Sequence, residues 1–303
     1  MRVAITGSSG MIGTALADSL RADGHQVVRL VRRALASADE VRWDPRAADA
    51  AVDPKALAGI DACVNLAGAG VGDRRWTAEY KAEIRSSRIP GTRALAGVLA
   101  RLDPRPATLV SASAIGWYGD TGQRQVDETA PSGGTFLAGV VRDWEAAAEP
   151  AAAAGIRVVH PRSGLVLSSR GGLLHRLLPV ARLGALPTFG SGAQVMSWIS
   201  LPDEIGAIRF LLDRGDLAGP VNLTAPDPVT NSAFTAALDA AVGRPNLPWL
   251  RAPAPALRLA VGEGVTELLT SARVIPKRLT EAGYPFRYPT LTKALSAELS
   301  GRR

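Results

Sequence analysis

Apolar and polar positions follow two rhythms along roughly the first half of the chain. Short runs dominated by apolar residues predict strands at Arg2–Thr6, Gln26–Val31, Ala62–Leu66, Thr108–Ser111 and Arg157–His160. Longer stretches with apolar residues three and four apart predict helices around Met11–Ala22, Ala78–Arg101 and Leu137–Ala154. Ile12, Leu16 and Leu20 make one stripe of the first helix. Pro90 interrupts the second, and a missing backbone N–H predicts a kink or break there. Alternation of this kind argues for a parallel sheet covered on both faces.

Beyond residue 165 the texture changes. Glycine and proline punctuate irregular stretches at Gly171-Gly172, Pro187 and Gly190-Ser191-Gly192. A further strand at Pro220–Leu223 precedes the turn Ala225-Pro226-Asp227-Pro228. A helix starting near Thr230 or Asn231 follows, then a tail of short helices. There is no internal repeat and no low-complexity linker, and the alanine tract Ala146–Ala154 reads as helix surface. The second half is therefore expected to pack on the first.

At 303 residues the chain exceeds a typical single core, and 47% hydrophobic with 21% charged residues excludes general disorder. No apolar run approaches a membrane span, and Met1 leads straight into a strand without a signal-peptide pattern, so a cytoplasmic protein with no membrane partner is expected. The lone cysteine, Cys63, reads as a small core residue. The formal charge is +7, but the arginines are scattered as pairs (Arg32-Arg33, Arg74-Arg75, Arg302-Arg303) rather than clustered, which argues against nucleic acid. His25, His160 and His175 lack metal-ligand spacing and read as structural, so no metal is expected.

Gly7-Ser8-Ser9-Gly10-Met11-Ile12-Gly13 joins the first strand to the first helix. Gly7 permits the tight turn, Gly10 lets backbone approach a pyrophosphate, and Gly13 lets helix and strand pack closely. Ser9, Met11 and Ile12 flank these glycines where the helix N-terminus offers free N–H groups to phosphate. Sited between a strand and an amphipathic helix, the loop predicts a dinucleotide site. The second strand ends Val31-Arg32-Arg33, where an NAD site usually carries Asp or Glu. Two guanidiniums there favour the 2′-phosphate of NADP, with one of the pair expected merely to cap the strand. The small turn Asn65-Leu66-Ala67-Gly68 should line the same cofactor. The expected fold is α/β: a Rossmann doubly wound parallel sheet over residues 1–165, which the strand near 220–223 joins, with a smaller, mostly helical substrate lobe over 166–303.

The chain resembles the extended short-chain dehydrogenase/reductases, the superfamily of sugar-nucleotide epimerases and dehydratases, and more closely an atypical epimerase-like branch. The resemblance covers essentially the whole chain. It rests on Thr6–Gly13, Trp43-Asp44-Pro45, Asn65–Gly68, Arg75-Trp76, Ser87-Arg88 with Gly91-Thr92, and Ser113 through Tyr118-Gly119-Asp120. It continues through Trp144-Glu145-Ala146-Ala147, Arg162-Ser163-Gly164, Gly190-Ser191-Gly192 with Gln194, Trp198-Ile199, Asn222–Pro226 and Ile275-Pro276-Lys277-Arg278-Leu279. Ordinary members of the superfamily catalyse with Ser or Thr, Tyr and Lys, the last two one helical turn apart. No Tyr-x-x-x-Lys occurs here, and alignment on Trp144-Glu145 puts Leu137 and Val141 at those positions.

The resemblance implies other polar groups near the nicotinamide. Ser113, with Ser111 as a near alternative, lies where the usual Ser or Thr belongs. Tyr118 is either a relocated proton donor or a packing residue. Lys81 shares a helical face with Arg85 and Arg88, and is a cofactor or substrate contact or a second proton carrier. Arg162 is expected at the nicotinamide end. Trp76 is a wall of the site or a core residue, and Gln194 and Trp198 belong to a substrate-side wall. The position after Trp198-Ile199, commonly His in this branch, is Ser200. Two functions fit. One is an NADP-dependent, epimerase-like oxidoreductase acting on a small, nucleotide-linked or free substrate. The other is a non-catalytic NADP-binding regulatory or scaffold protein, for which the resemblance carries a link to cell division.

Overall fold

The structure is a computed structural model describing residues 1–47 and 51–300; Arg302-Arg303 lies outside them. The first strands and helices run β1 (Arg2–Thr6), α1 (Met11–Ala22), β2 (Gln26–Val31), β3 (Glu40–Arg42), β4 (Ala62–Asn65), α2 (Ala78–Ser86) and α3 (Ile89–Ala100). Then come β5 (Thr108–Ser111), β6 (Ser113–Ala114), β7 (Gln125–Val126), α4 (Phe136–Ala146), α5 (Glu149–Ala153) and β8 (Arg157–Ser163). Among the described residues, β13 (Gly219–Leu223) joins these in one parallel eight-stranded sheet, ordered β13-β8-β5-β4-β1-β2-β3 with β6 beside β8. Strand order reverses at β1, so the glycine loop sits beside β4 at the switch point.

The strands alternate between two buried faces. Val3, Ile5, Val64 and Val110 pack with α1 and with α7 (Leu201–Asp213) through Leu16, Leu20, Ile205 and Ile208. Ala4, Val28, Cys63 and Leu109 pack with α3 and α5 through Leu95, Leu99 and Ala151. Cys63 is wholly buried there, and burial pushes its thiol up to about 12.

Several expectations need correction. β3 is only three residues long, too short to show a periodicity, and has no counterpart among the predicted strands. The helix expected over Ala78–Arg101 is two, and Pro90 opens the second, where its missing N–H costs nothing. The helix expected over Leu137–Ala154 also breaks, with Pro150 in the first turn of α5. The alanine tract is not simply surface: Ala147, Ala148 and Ala151 are buried, because only small side chains let α5 lie close to α3 and the sheet.

The remaining segments form a lobe around Trp198, Phe234 and Leu238. It holds β9 (Leu165–Leu167), α6 (Gly172–Arg182), β10 (Thr188–Phe189), β11 (Val195–Met196), β12 (Trp198–Ser200), β14 (Val229–Thr230) and α8 (Asn231–Ala241). The tail adds β15 (Arg251–Ala252), α9 (Ala254–Val261), α10 (Val265–Leu269), β16 (Arg273–Val274), α11 (Lys277–Glu281) and α12 (Leu291–Ser300). It returns to the first half, since β16 pairs with β7 and Trp76 bridges to Gly262. No described helix is long and apolar enough to cross a membrane.

Candidate active site

The parallel register lines up polar side chains at the carboxyl edge of the sheet. Thr6, Asn65 and Ser111 are register partners across β1, β4 and β5. Thr6 Oγ1 donates to Asn65 Oδ1 at 2.7 Å and accepts from the amides of Leu66 and Ala67. Asn65 Nδ2 donates to Thr92 Oγ1 at 2.8 Å, which also accepts from the Trp144 indole at 3.0 Å. Asn65 and Ser111 are buried, and through Thr6 this row holds the start of the loop, Leu66-Ala67, from beneath.

A second row joins Ser113, Arg162 and Asn222 across β6, β8 and β13. Ser113 Oγ donates to Glu145 Oε1 at 2.5 Å. Arg162 holds the same carboxylate with two nitrogens, at 2.8 and 2.9 Å, and lies over the Trp117 ring at 3.9 Å. Its third nitrogen donates to the Tyr118 hydroxyl, which donates onward to Asn222 Oδ1 at 2.7 Å. Arg162 is 2% exposed and all its nitrogens are engaged inside the protein. Burial pushes the Tyr118 hydroxyl up to about 12, against the pull of Arg162.

The glycine loop has the shape its sequence implies. Gly7 has φ +65°, and a β-carbon there would stand 2.7 Å from the Leu66 carbonyl oxygen. Gly13 packs on the Gly7 backbone with no room for a side chain. Gly10 caps α1 without any side-chain hydrogen bond, so the first-turn amides after it, including those of Met11 and Ile12, are free of a capping side chain. Ser9 and Gly10 are exposed, and the buried Ser8 hydroxyl has no partner among the described residues. Met11 Sδ lies against Gly171 of the lobe. A cradle of uncapped amides beside an orphaned hydroxyl fits a phosphate-bearing dinucleotide.

At the end of β2 the two arginines differ. Glu40, buried in β3, accepts from Arg29 and from both terminal nitrogens of Arg33, at 2.5 and 2.9 Å. Arg32 is exposed and has no carboxylate partner among the described residues. The sequence shows no carboxylate at the strand end, but the fold brings one from seven residues further on and spends it on Arg33.

The other expected site residues are engaged within the fold. Lys81 pairs with Glu263 at 2.9 Å, with its ammonium 4.8 Å from the Phe136 ring centre, so it serves the tail segment between α9 and α10. Trp76 is buried, donating to the Val71 carbonyl and packed edge-on against Phe136. Gln194 is buried and donates to the Phe189 carbonyl. Trp198 is 0% exposed in the lobe core, with its indole N–H on the Asp227 carbonyl, and presents no surface to a ligand; its size and apolarity made it equally suited to a wall and a core. Leu137 and Val141 pack over Gly116. Glu145, Thr92, Trp144 and Asn222 enter the networks without having been singled out for them, because their partners are distant in sequence and only the docking of α3 and α4 on the sheet and the register of β13 unite them. Among the described residues, no group of three His, Cys, Asp or Glu side chains could hold a metal.

A groove of about 550 Å³ lies apart from these rows, between α1, α7 and the tail. Arg170, Arg209, Tyr284 and Arg287 are among its lining residues.

Residues 3–223 match the model of the NAD dependent epimerase/dehydratase family, and residues 252–298 match a domain of unknown function, DUF1731. An epimerase family protein of Mycobacterium bovis is 47% identical over 97% of this chain and 96% of its own length. The chloroplastic SDR39U1 homolog of Arabidopsis thaliana is 36% identical over 98% and 86%. The crystal structure of human epimerase family protein SDR39U1 with NADPH superposes with a TM-score of 0.89, at 31% identity and 99% coverage of both chains.

Proposed function

The chain belongs to the NAD dependent epimerase/dehydratase family, and from that premise we propose that it is an NADP-binding, epimerase-like oxidoreductase acting on a small substrate. The observation that carries the cofactor is Arg32, an exposed guanidinium without a carboxylate partner among the described residues, standing beside an uncapped glycine loop. Arg32 takes the 2′-phosphate, and Arg33, held by Glu40, braces the strand end. The amides after Gly10 take the pyrophosphate, and Leu66–Gly68 line the ribose side. NADPH bound in the human relative supports this choice of cofactor.

When bound, the cofactor supplies or accepts a hydride. The chain supplies the polar group at the reacting oxygen. Ser113 is that group: its hydroxyl points at Glu145, which the forked contact with Arg162 holds in place. Turned from Glu145 to a substrate, the hydroxyl polarises the oxygen, and Glu145 with a water carries the proton. Tyr118 would first have to release Asn222, and Lys81 would have to leave Glu263. The test is Ser113→Ala assayed by NADPH consumption over a panel of carbonyl compounds and nucleotide sugars. Turnover should fall by about 100-fold while NADPH affinity stays within about twofold.

A second reading, a protein that holds NADP as a regulatory ligand without turnover, is favoured by one observation. Leu137 and Val141, the apolar residues on α4, bring no proton carrier to Gly116 and the turn after Ser113. Wild-type protein that binds NADPH tightly but never oxidises it against the same panel would decide for this reading.

A further inference from the structure

Arg88 is a cation in an unusual setting. It stands between α2 and α3, and among the described residues its hydrogen bonds run from Nη1 alone, to the Ile84 carbonyl at 3.0 Å and the Ser87 hydroxyl at 3.5 Å. Among the described residues it pairs with no carboxylate, although Arg29, Arg33, Arg85 and Arg162 each do. Its guanidinium carbon lies 5.0 Å from the centre of the Trp144 ring. On its other side is the loop after β4, where a β-carbon on Gly68 would stand 3.1 Å from that same carbon. Gly68 therefore leaves the guanidinium flush against the backbone that lines the ribose side of the proposed cofactor site.

Arg88 is half-buried, and burial holds it down to about 10 with only the Tyr80 ring hydroxyl opposing, while no carboxylate among the described residues neutralises its charge. A partly desolvated guanidinium without a counter-ion is a favourable place for an anion. The Trp144 ring backs the guanidinium, and its Nε and Nη2, which carry no hydrogen bond among the described residues, form an edge open to two oxygens. Trp144 is one helical turn beyond Val141, so the cation comes from the start of α3 to a helix face that carries none of its own.

We propose that Arg88 is the anion-binding residue of the inner half of the site, taking the oxygens of a phosphate or carboxylate presented along the Gly68 loop. The anion is either the nicotinamide-side phosphate of the dinucleotide or an acidic group of the substrate. The inference rests on the cofactor reading above.

The experiment is isothermal titration of wild type, Arg88→Gln and Arg88→Lys with NADPH and with adenosine 2′,5′-bisphosphate. The second ligand carries the Arg32 contact but lacks the nicotinamide half. Oxalate is then titrated into each NADPH complex as a carboxylate probe. If the anion is the cofactor's, Arg88→Gln weakens NADPH at least about tenfold, spares adenosine 2′,5′-bisphosphate, and Arg88→Lys recovers part of the loss. If it is the substrate's, NADPH is unchanged in Arg88→Gln and oxalate binding to the complex is lost. Equal behaviour of Arg88→Gln and wild type towards all three ligands overturns the proposal, as does joint loss of both nucleotides, which would mark Arg88 as structural. Wild type that binds neither nucleotide defeats the cofactor reading itself, and the proposal with it.

Discussion

At the end of β2, Glu40 accepts from Arg29 and Arg33 and from the Ala36 amide, so that strand end carries a buried carboxylate with its charge met twice over. Neighbouring residues of one type thereby differ, Arg33 engaged as a brace and Arg32 left for the 2′-phosphate in the proposed reading. A second buried carboxylate, Glu204, has no such company. It is 1% exposed, accepts only from Ser163 at 2.6 Å, and its other oxygen is unpartnered among the described residues. Burial raises it to about 7 from its ordinary 4.5. Between these values the unfolded chain has lost a proton that the folded chain keeps. Stability therefore falls as pH rises through this window, and the loss is complete above about 7, at roughly 3 kcal/mol. Thermal melts of wild type and Glu204→Gln at about pH 5 and about pH 8 should show the wild type losing the most on the alkaline side. Parallel shifts of the two proteins would contradict the account. Of these residues only the arginine pair was legible in the sequence: a buried charge is defined by what surrounds it, and Glu40 and Glu204 meet their partners through the sheet and through α7.

The strands act through their register. Because the ends of β1, β4 and β5 are level, Thr6, Asn65 and Ser111 become neighbours, and because β6 and β13 flank β8, so do Ser113, Arg162 and Asn222. Periodicity located β1, β2, β5 and α1 with the bounds the structure has, since apolar runs and a helical stripe are local properties. It could not give the level at which strands meet or where α4 docks against them, and so the Glu145–Arg162 fork left no trace in it. The glycine loop is the element where sequence and structure meet most closely. Gly13→Ala would drive a methyl group into the Gly7 carbonyl and to 2.8 Å from Ser8 Cα. The expected cost is roughly 1–3 kcal/mol, read as a lower melting temperature, together with weaker NADPH binding as α1 is pushed off β1. An alanine variant with wild-type stability and affinity would show that the close packing of this turn is dispensable.

Across the whole molecule, the tail ties the two halves together. Ile275 accepts from Asn222 beneath Tyr118, while the amides of Arg287 and Tyr288 donate to the buried Asp203 of α7. Punctuation by glycine and proline marked where the texture changes, but not this return of residues beyond 250 to the sheet, because such contacts leave no periodic trace. The parallel sheet and the dinucleotide loop were the legible part of the fold, and the division of labour among the polar side chains was not. The central claim is that NADP is held by Arg32 across the switch point between β1 and β4. Its most direct test is fluorescence titration of wild type and Arg32→Asp with NADPH and NADH. The account predicts a preference for NADPH of about tenfold or more in the wild type, abolished or reversed by the substitution. Equal affinity for the two cofactors in the wild type, or an Arg32→Asp variant that still prefers NADPH, would contradict it.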